Sequence, residues 1–344
     1  MKQRILEIDM IRGFTVLLVF GANLQIFSGV TSPDNAIDYL VTWFIHVFTD
    51  GTVYTIFSFL FGLGLTLQKN SDWTRRMLAL IGIGLIHGVL VNQGDILAIY
   101  GIYGLILYRV RNWSKKGLIL AAIALLAIPA AYNLSVWLAG LPQTKGAIPY
   151  DVRFSQGFTN IFQARVEQWL SLYFPGQIFA FPNIFAAMML GLAAGKQGFG
   201  AWPLVWFHRA GIIGIPCMVV YGTIKTFGSD GAIIAYGNGL ATIGAPCLAA
   251  FYISLIVQLS RRCDMSVFAA AGQMSLTLYV QSGLIASLLV YGGLYGLLPV
   301  WVQGALVIVV YGLQLEFARF WAKRYRQGIL EAFWRNLAKK EMGA

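Results

Sequence analysis

The residues best suited to chemistry in this sequence are a histidine and a carboxylate near the end of a long apolar run. His87 lies in LIGIGLIHGVLVNQGDIL, twelve residues after Arg75 and eight before Asp95. At 1.5 Å per residue, a helix places His87 ~18 Å from its basic end. A histidine beside a carboxylate commonly takes a proton from a hydroxyl or amine, so we predict that both are catalytic. The alternatives are a histidine that only joins helices and an aspartate that only caps one.

A second histidine and carboxylate precede the His87–Asp95 pair, in FIHVFTDGTVY. His46 and Asp50 are four residues apart, so a helix would present them on one face. Asn23 lies eleven residues after Arg12 in the first apolar run, at a similar depth. We predict that Asp50 joins the catalytic pair and that His46 and Asn23 contact substrate. Helix capping remains the alternative for Asp50.

Basic residues gather at the opposite ends of these runs. Arg12, Arg75 and Arg76 are the candidates for binding a phosphorylated substrate, because guanidinium forks match phosphate oxygens. The same residues equally suit a role as topology signals that contact lipid headgroups.

The elements that must position these side chains are apolar helices in a membrane. Of 344 residues, 58% are hydrophobic and 11% are charged, whereas soluble domains carry roughly 25% charged residues. This composition excludes a soluble enzyme, a disordered chain and a nucleic-acid-binding module. We predict an all-α, polytopic transmembrane bundle formed by one domain, 1–344. Its ten runs long enough to span a bilayer lie at about 11–30, 52–68, 75–92, 95–110, 117–138, 172–195, 208–227, 231–258, 266–291 and 294–316.

The basic residues orient these runs. All but four of the 25 lysines and arginines fall on the side of the amino terminus, which predicts cytoplasmic termini in a cell inner membrane. The run 36–48 is short, and we interpret it as interfacial or re-entrant. The segment 139–171 is predicted to be an outward loop, and 319–344 an amphipathic surface segment. Pro175 and Pro182 predict a kink or break in the sixth span.

Neither metal nor cofactor chemistry is indicated. The three cysteines, Cys217, Cys247 and Cys263, form no CxxC pair, and no metal-ligand spacing or phosphate-binding loop is present. We therefore expect no metal and no bound cofactor.

Several motifs resemble those of the DUF418, or YeiB-like, membrane proteins. In chain order they are RILEIDMIRGFTVLLVFGANLQ, IFSFLFGLGL, RRMLALIGIGLIHG followed by GDILAIYGIYGLIL, MMLGLAAGKQG, GQMSLTLYVQS and GILEAFWR. They cover nearly the whole chain, and their order and spacing make the set specific. The family is similar to transmembrane acyltransferases, including the acyltransferase-3 and heparan glucosaminide acetyltransferase groups.

The resemblance implies a donor site near Arg12, Arg75 and Arg76 and an acceptor site near His87 and Asp95. It implies acyl-CoA or a similar thioester as the donor.

Some positions depart from the patterns of these families. Acyltransferase-3 proteins place a catalytic histidine where this chain has Asn23, so the catalytic role of His87 is our inference. Gln273, Leu278 and Ile329 replace the Arg, Asn and Pro of the family patterns GRMALTNY and GPLEWLWR. If those positions shape a site, the departures imply another substrate or an altered activity.

Three classes of function fit the sequence. The first is a membrane-embedded acyltransferase that uses His87 as base, with Asn23 donating to the oxyanion, and a small-molecule or glycan acceptor. The second is a transporter or exporter of a small molecule, and the third is a structural or lipid-interacting membrane protein. The lipid bilayer is the expected partner, nucleic acid is not, and an oligomer is compatible with the sequence.

Overall fold

The structure is a computed structural model that describes residues 6–28, 33–67, 72–141, 151–173, 182–198 and 201–337, without the side chains of 22–28 and 171–173. These residues form helices and contain no strand. The α-helices are α1 (Leu6–Ser28), α2 (Ala36–Phe48), α3 (Thr52–Leu67), α4 (Trp73–Leu90), α5 (Leu97–Arg109), α6 (Lys115–Leu138), α7 (Phe158–Tyr173), α8 (Pro182–Gln197), α9 (Leu204–Phe227), α10 (Gly231–Ser260), α11 (Ser266–Gly272), α12 (Ser275–Leu289), α13 (Val300–Ala322) and α14 (Ile329–Leu337).

Seven of the described helical segments are long and apolar enough to cross a membrane. The predicted all-helical membrane bundle is thus confirmed in class, while ten spans and the side of the termini stay predictions. Among the shorter predicted spans, α5 has 13 residues and α8 has 16. The helices α2 and α3, separated by a three-residue turn, together form the candidate span Ala36–Leu67, and an interfacial or re-entrant 36–48 stays a prediction.

Side-chain caps fix where several helices begin. Asn35 accepts hydrogen bonds from the backbone N–H groups of Ile37 and Asp38 at the start of α2. Ser114 caps α6 and Asp230 caps α10 in the same way. These side chains satisfy amide groups that have no partner within the first helical turn.

Glycines allow two pairs of helices to cross with their backbones in contact. A Cβ at Gly13 would overlap the carbonyl of Phe268, and one at Gly272 would overlap that of Asp9, where α1 meets α11. Where α3 meets α8, a Cβ at Gly62 or at Gly191 would likewise overlap a backbone carbonyl of the opposite helix. Small residues at such crossings are how membrane helices gain close packing. The α1 helix also packs against α3, α12 and α13.

The segment 139–171 contains more than a loop. A 3₁₀ turn spans Val152–Ser155, and α7 follows it and packs against α4. The α8 helix begins at Pro182, a residue tolerated in a first turn; Pro175 lies outside the described residues. At the other end of the chain, α13 continues to Ala322, and the short α14 packs against α4 and α12.

Candidate active site

His87 and Asp95 form a buried pair between α4 and α5. Nδ1 of His87 lies 2.8 Å from Oδ1 of Asp95, and the two side chains are 3% and 0% exposed. The other carboxylate oxygen, Oδ2, accepts from the N–H groups of Leu97 and Ala98 at 2.9 and 3.2 Å. One oxygen of Asp95 therefore contacts the histidine and the other caps α5, while its catalytic role stays a prediction.

The contact with Asp95 determines which ring nitrogen of a neutral His87 carries the proton. When Asp95 is ionised it can only accept, so Nδ1 of a neutral His87 donates to it and Nε2 carries the lone pair. Nε2 is buried and has no hydrogen-bond partner among the described residues. The Tyr279 hydroxyl lies 3.4 Å from Oδ1 of Asp95, and its ring centroid lies 5.3 Å from that of His87.

A cluster of the same composition lies at the break between α2 and α3. Nδ1 of His46 is 2.7 Å from Oδ2 of Asp50, and the Tyr221 hydroxyl donates to the same oxygen at 3.0 Å. The chain turns there at Gly51, whose φ of 71° favours glycine. Each aspartate thus has its own histidine and its own tyrosine, and no described hydrogen bond joins the two clusters. Asn23 lies in α1, but its side chain is outside the described residues.

A cavity of about 280 Å³ opens beside the His87–Asp95 pair. Its polar end carries Arg12 from α1, Arg76 from α4 and Arg335 from α14. The guanidinium of Arg76 lies 4.1 Å from the ring centroid of Trp334, and the indole N–H of Trp334 donates to the Arg76 carbonyl at 2.7 Å. Arg12 also lies 3.8 Å from Asp9. We call this region the arginine cavity.

The other candidate arginine lies elsewhere. Arg75 is half exposed, is 3.4 Å from Asp72 and does not line the arginine cavity. Arg335 was not predicted to be a site residue, although the motif GILEAFWR contains it. In the sequence it stands among the basic residues from Arg319 to Lys340, which the charge count assigned to topology.

Much of the wall of the arginine cavity is apolar and aromatic. Ile96, Leu97, Tyr100 and Tyr279 belong to this part of the lining. Ile96 and Leu97 directly follow Asp95 in the chain, and Tyr279 contacts that carboxylate. His87 itself does not line the cavity, whereas Tyr279 both lines it and lies beside the His87 ring.

Glu331 joins α14 to the wall of the arginine cavity. Its Oε1 accepts from the backbone N–H groups of Leu276 and Thr277 at 2.6 and 3.2 Å, and its Oε2 accepts from the Thr277 hydroxyl at 2.6 Å. The carboxylate therefore occupies the amino terminus of α12, a position that favours an anion. Burial raises the pKa of Glu331 above its ordinary value.

The helix α7 packs against the carboxyl end of α4 and carries a fully buried arginine, Arg165. Arg165 donates to the Leu90 carbonyl at 2.7 Å, to the Tyr291 hydroxyl at 3.0 Å and to the Ser287 hydroxyl at 3.1 Å. No carboxylate contacts it within the described part of the chain. Leu90 is three residues after His87, so Arg165 fixes the turn of α4 that carries the histidine.

The comparisons with known proteins identify relatives. Residues 184–341 match a family described as "Protein of unknown function (DUF418)". The resemblance to the DUF418, YeiB-like family is confirmed. The chain is 26% identical to the uncharacterized protein YxaH of Bacillus subtilis (strain 168), over 97% of this chain and 94% of the relative. It is 27% identical to the uncharacterized protein YeiB of Escherichia coli (strain K12), over 99% and 98%. No solved structure matches.

The DUF418 motifs near the carboxyl end converge on the arginine cavity. Tyr279, Glu331, Trp334 and Arg335 agree with the family patterns and all line it. Of the three departures, Gln273 also lines it, so this chain has glutamine at a cavity position where the DUF418 pattern has arginine. The other two do not line it. Leu278 is fully buried, and Ile329 is exposed.

No group of three or more His, Cys, Asp or Glu side chains in the described ranges could hold a metal ion.

Proposed function

We propose that this DUF418 protein is an acyltransferase of the cell inner membrane. It would move an acyl group from a cytoplasmic thioester to a hydroxyl or amine acceptor at the outer side, with about ten spans and both termini in the cytoplasm. The observation that carries the proposal is the contact of Tyr279 with Asp95, because Tyr279 also lines the arginine cavity. A candidate base and a candidate anion site therefore meet at one side chain.

The arginine cavity supports the donor half of the proposal. A coenzyme A thioester carries phosphates, and the guanidinium groups of Arg12, Arg76 and Arg335 can hold phosphate oxygens by charge-assisted hydrogen bonds. Apolar walls beyond them suit an acyl chain. The donor would therefore lie with its phosphates at the arginines and its thioester towards Tyr279.

The His87–Asp95 pair supports the transfer half. Nε2 of His87 takes the proton as the acceptor oxygen or nitrogen attacks the thioester carbonyl and forms a tetrahedral intermediate. Asp95 stabilises the resulting imidazolium through Nδ1. The carbon–sulfur bond then breaks, and the leaving thiolate takes the proton back from Nε2. Because Nε2 is buried against α12 at Gly283 and His87 does not line the cavity, the packing around the histidine must open for the reactants to reach Nε2.

The decisive experiment measures transfer from radiolabelled acyl-CoA in membranes that contain each variant. We expect His87→Ala to lower the rate by about 100-fold or more. His208→Ala is the matched control, because His208 contacts Ser254 and Gln258 away from the cavity. Transfer retained by His87→Ala, with both variants equally well folded, would overturn the proposal.

One observation favours a transporter as the second candidate. The span Ala36–Leu67 is broken next to His46 and Asp50, and interrupted spans with ionisable groups are common at transport sites. Solute flux into proteoliposomes, lost in Asp50→Asn but retained in His87→Ala, would support this function over acyl transfer.

A further inference from the structure

A second basic groove lies at the junction of α13 and α14. Its volume is about 580 Å³, and Arg324, Arg326 and Arg335 line it together with Trp321 and Tyr325. The two aromatic rings stack with centroids 4.4 Å apart, and the Trp321 indole donates to the Gln327 carbonyl at 3.0 Å. These contacts fold the linker between the helices into one wall of the groove. We call this region the junction groove.

The positive charge of the junction groove is not compensated in the described part of the chain. Its three arginines are exposed, and none forms an ion pair there. The nearby carboxylates are engaged, because Glu316 lies 3.7 Å from Arg319 and Glu331 caps α12. Several guanidinium groups without a counter-charge favour a phosphate or phosphodiester.

The surface beside the junction groove is apolar. Ile329, Phe333 and Leu337 recur every four residues along α14, and each is about half exposed. A short helix with such a stripe, directly after a candidate membrane span, is suited to lie in the bilayer interface. A ligand of the junction groove would therefore meet arginines at one end and acyl chains of the bilayer at the other.

We propose that the junction groove binds the headgroup of an anionic phospholipid from the adjacent leaflet. The phosphodiester contacts Arg324, Arg326 and Arg335, and the acyl chains lie along the apolar stripe of α14. Arg335 and Gln327 line both the junction groove and the arginine cavity. The bound lipid therefore also contacts the wall of the arginine cavity. The junction groove shares Arg335 with the proposed donor site, but lipid binding requires neither His87 nor a thioester.

The test is native mass spectrometry of the detergent-purified full chain, titrated with phosphatidylglycerol or phosphatidylcholine. We expect one phosphatidylglycerol to bind more tightly than phosphatidylcholine, and the double variant Arg324→Gln/Arg326→Gln to lose about tenfold or more of that preference. The matched control is Arg261→Gln/Arg262→Gln. It removes the same charge from two exposed arginines at the end of α10, outside the junction groove.

Three results would overturn the proposal. Equal loss in both double variants would mean that only overall charge matters. Equal binding of the two lipids would mean that the headgroup is not recognised. Displacement of phosphatidylglycerol by inorganic phosphate at similar concentration would assign the junction groove to a free anion. Thermal unfolding of each variant in detergent checks that the fold is intact.

Discussion

At the scale of single residues, the candidate site depends on how closely α12 approaches α4. A Cβ on Gly283 would lie 2.7 Å from Nε2 of His87 and 3.0 Å from a methyl group of Val91. The histidine ring is therefore held on one side by Asp95 and on the other by the backbone of α12.

We expect Gly283→Ala to displace the His87 ring and to destabilise the protein by about 1–3 kcal/mol, because the extra methyl overfills the contact. Gly82→Ala is the matched control on α4, since nothing lies within 4 Å of a Cβ there. Thermal unfolding and acyl transfer are measured for both variants. Equal melting temperatures and equal transfer rates for the two variants would show that the Gly283 contact does not hold His87.

The sequence predicted the local part of the site and missed the distant part. His87 and Asp95 are eight residues apart, and the sequence placed them at a similar depth without establishing that they touch. Tyr279 lies 184 residues from Asp95, and Arg165 bonds the carbonyl of a residue 75 positions away. Only the packing of helices brings such partners together, and their residue types alone did not indicate it. The family pattern was the available signal for Tyr279 and Arg335.

At the scale of elements, α14 is held in place by the buried carboxylate of Glu331. Glu331 is buried against the amino terminus of α12, and burial raises its pKa. The folded protein therefore binds the Glu331 proton more tightly than the unfolded chain does. The stability from this proton is fully present below the ordinary glutamate pKa and is lost as pH rises through the raised value.

We expect the melting temperature of the wild-type protein to fall relative to Glu331→Gln as pH rises from about 4 to about 8. The amide keeps an acceptor oxygen and has no proton to lose in this range. Glu316→Gln, at an exposed site on α13, should show no such pH dependence. Parallel curves for wild type and Glu331→Gln would contradict the assignment.

At the scale of the whole molecule, the predicted orientation follows from charge and has a direct test. Cys263 is exposed between α10 and α11, on the predicted cytoplasmic side. Ser155 is exposed in the 3₁₀ turn on the predicted outer side. One thiol-reactive reagent can probe the accessibility of both positions once Cys217 and Cys247 have been replaced by alanine.

We expect a membrane-impermeant maleimide to label Cys263 only after the cells are permeabilised. In a Cys263→Ala background, the cysteine introduced by Ser155→Cys should react in intact cells. Mass spectrometry of the purified protein measures both reactions. The reverse pattern would place the termini outside, and labelling of both sites in intact cells would disprove the predicted topology.

The burial of Arg165 also constrains the order in which the chain is assembled. Its partners Ser287 and Tyr291 are synthesised 122 and 126 residues later. At ribosomal rates of about 5–20 residues per second, α7 waits several seconds or more before they emerge. A guanidinium enters an apolar environment only with its partners. The contacts of α7 with Ser287 and Tyr291 therefore form late in translation, after nearly the whole bundle has been synthesised.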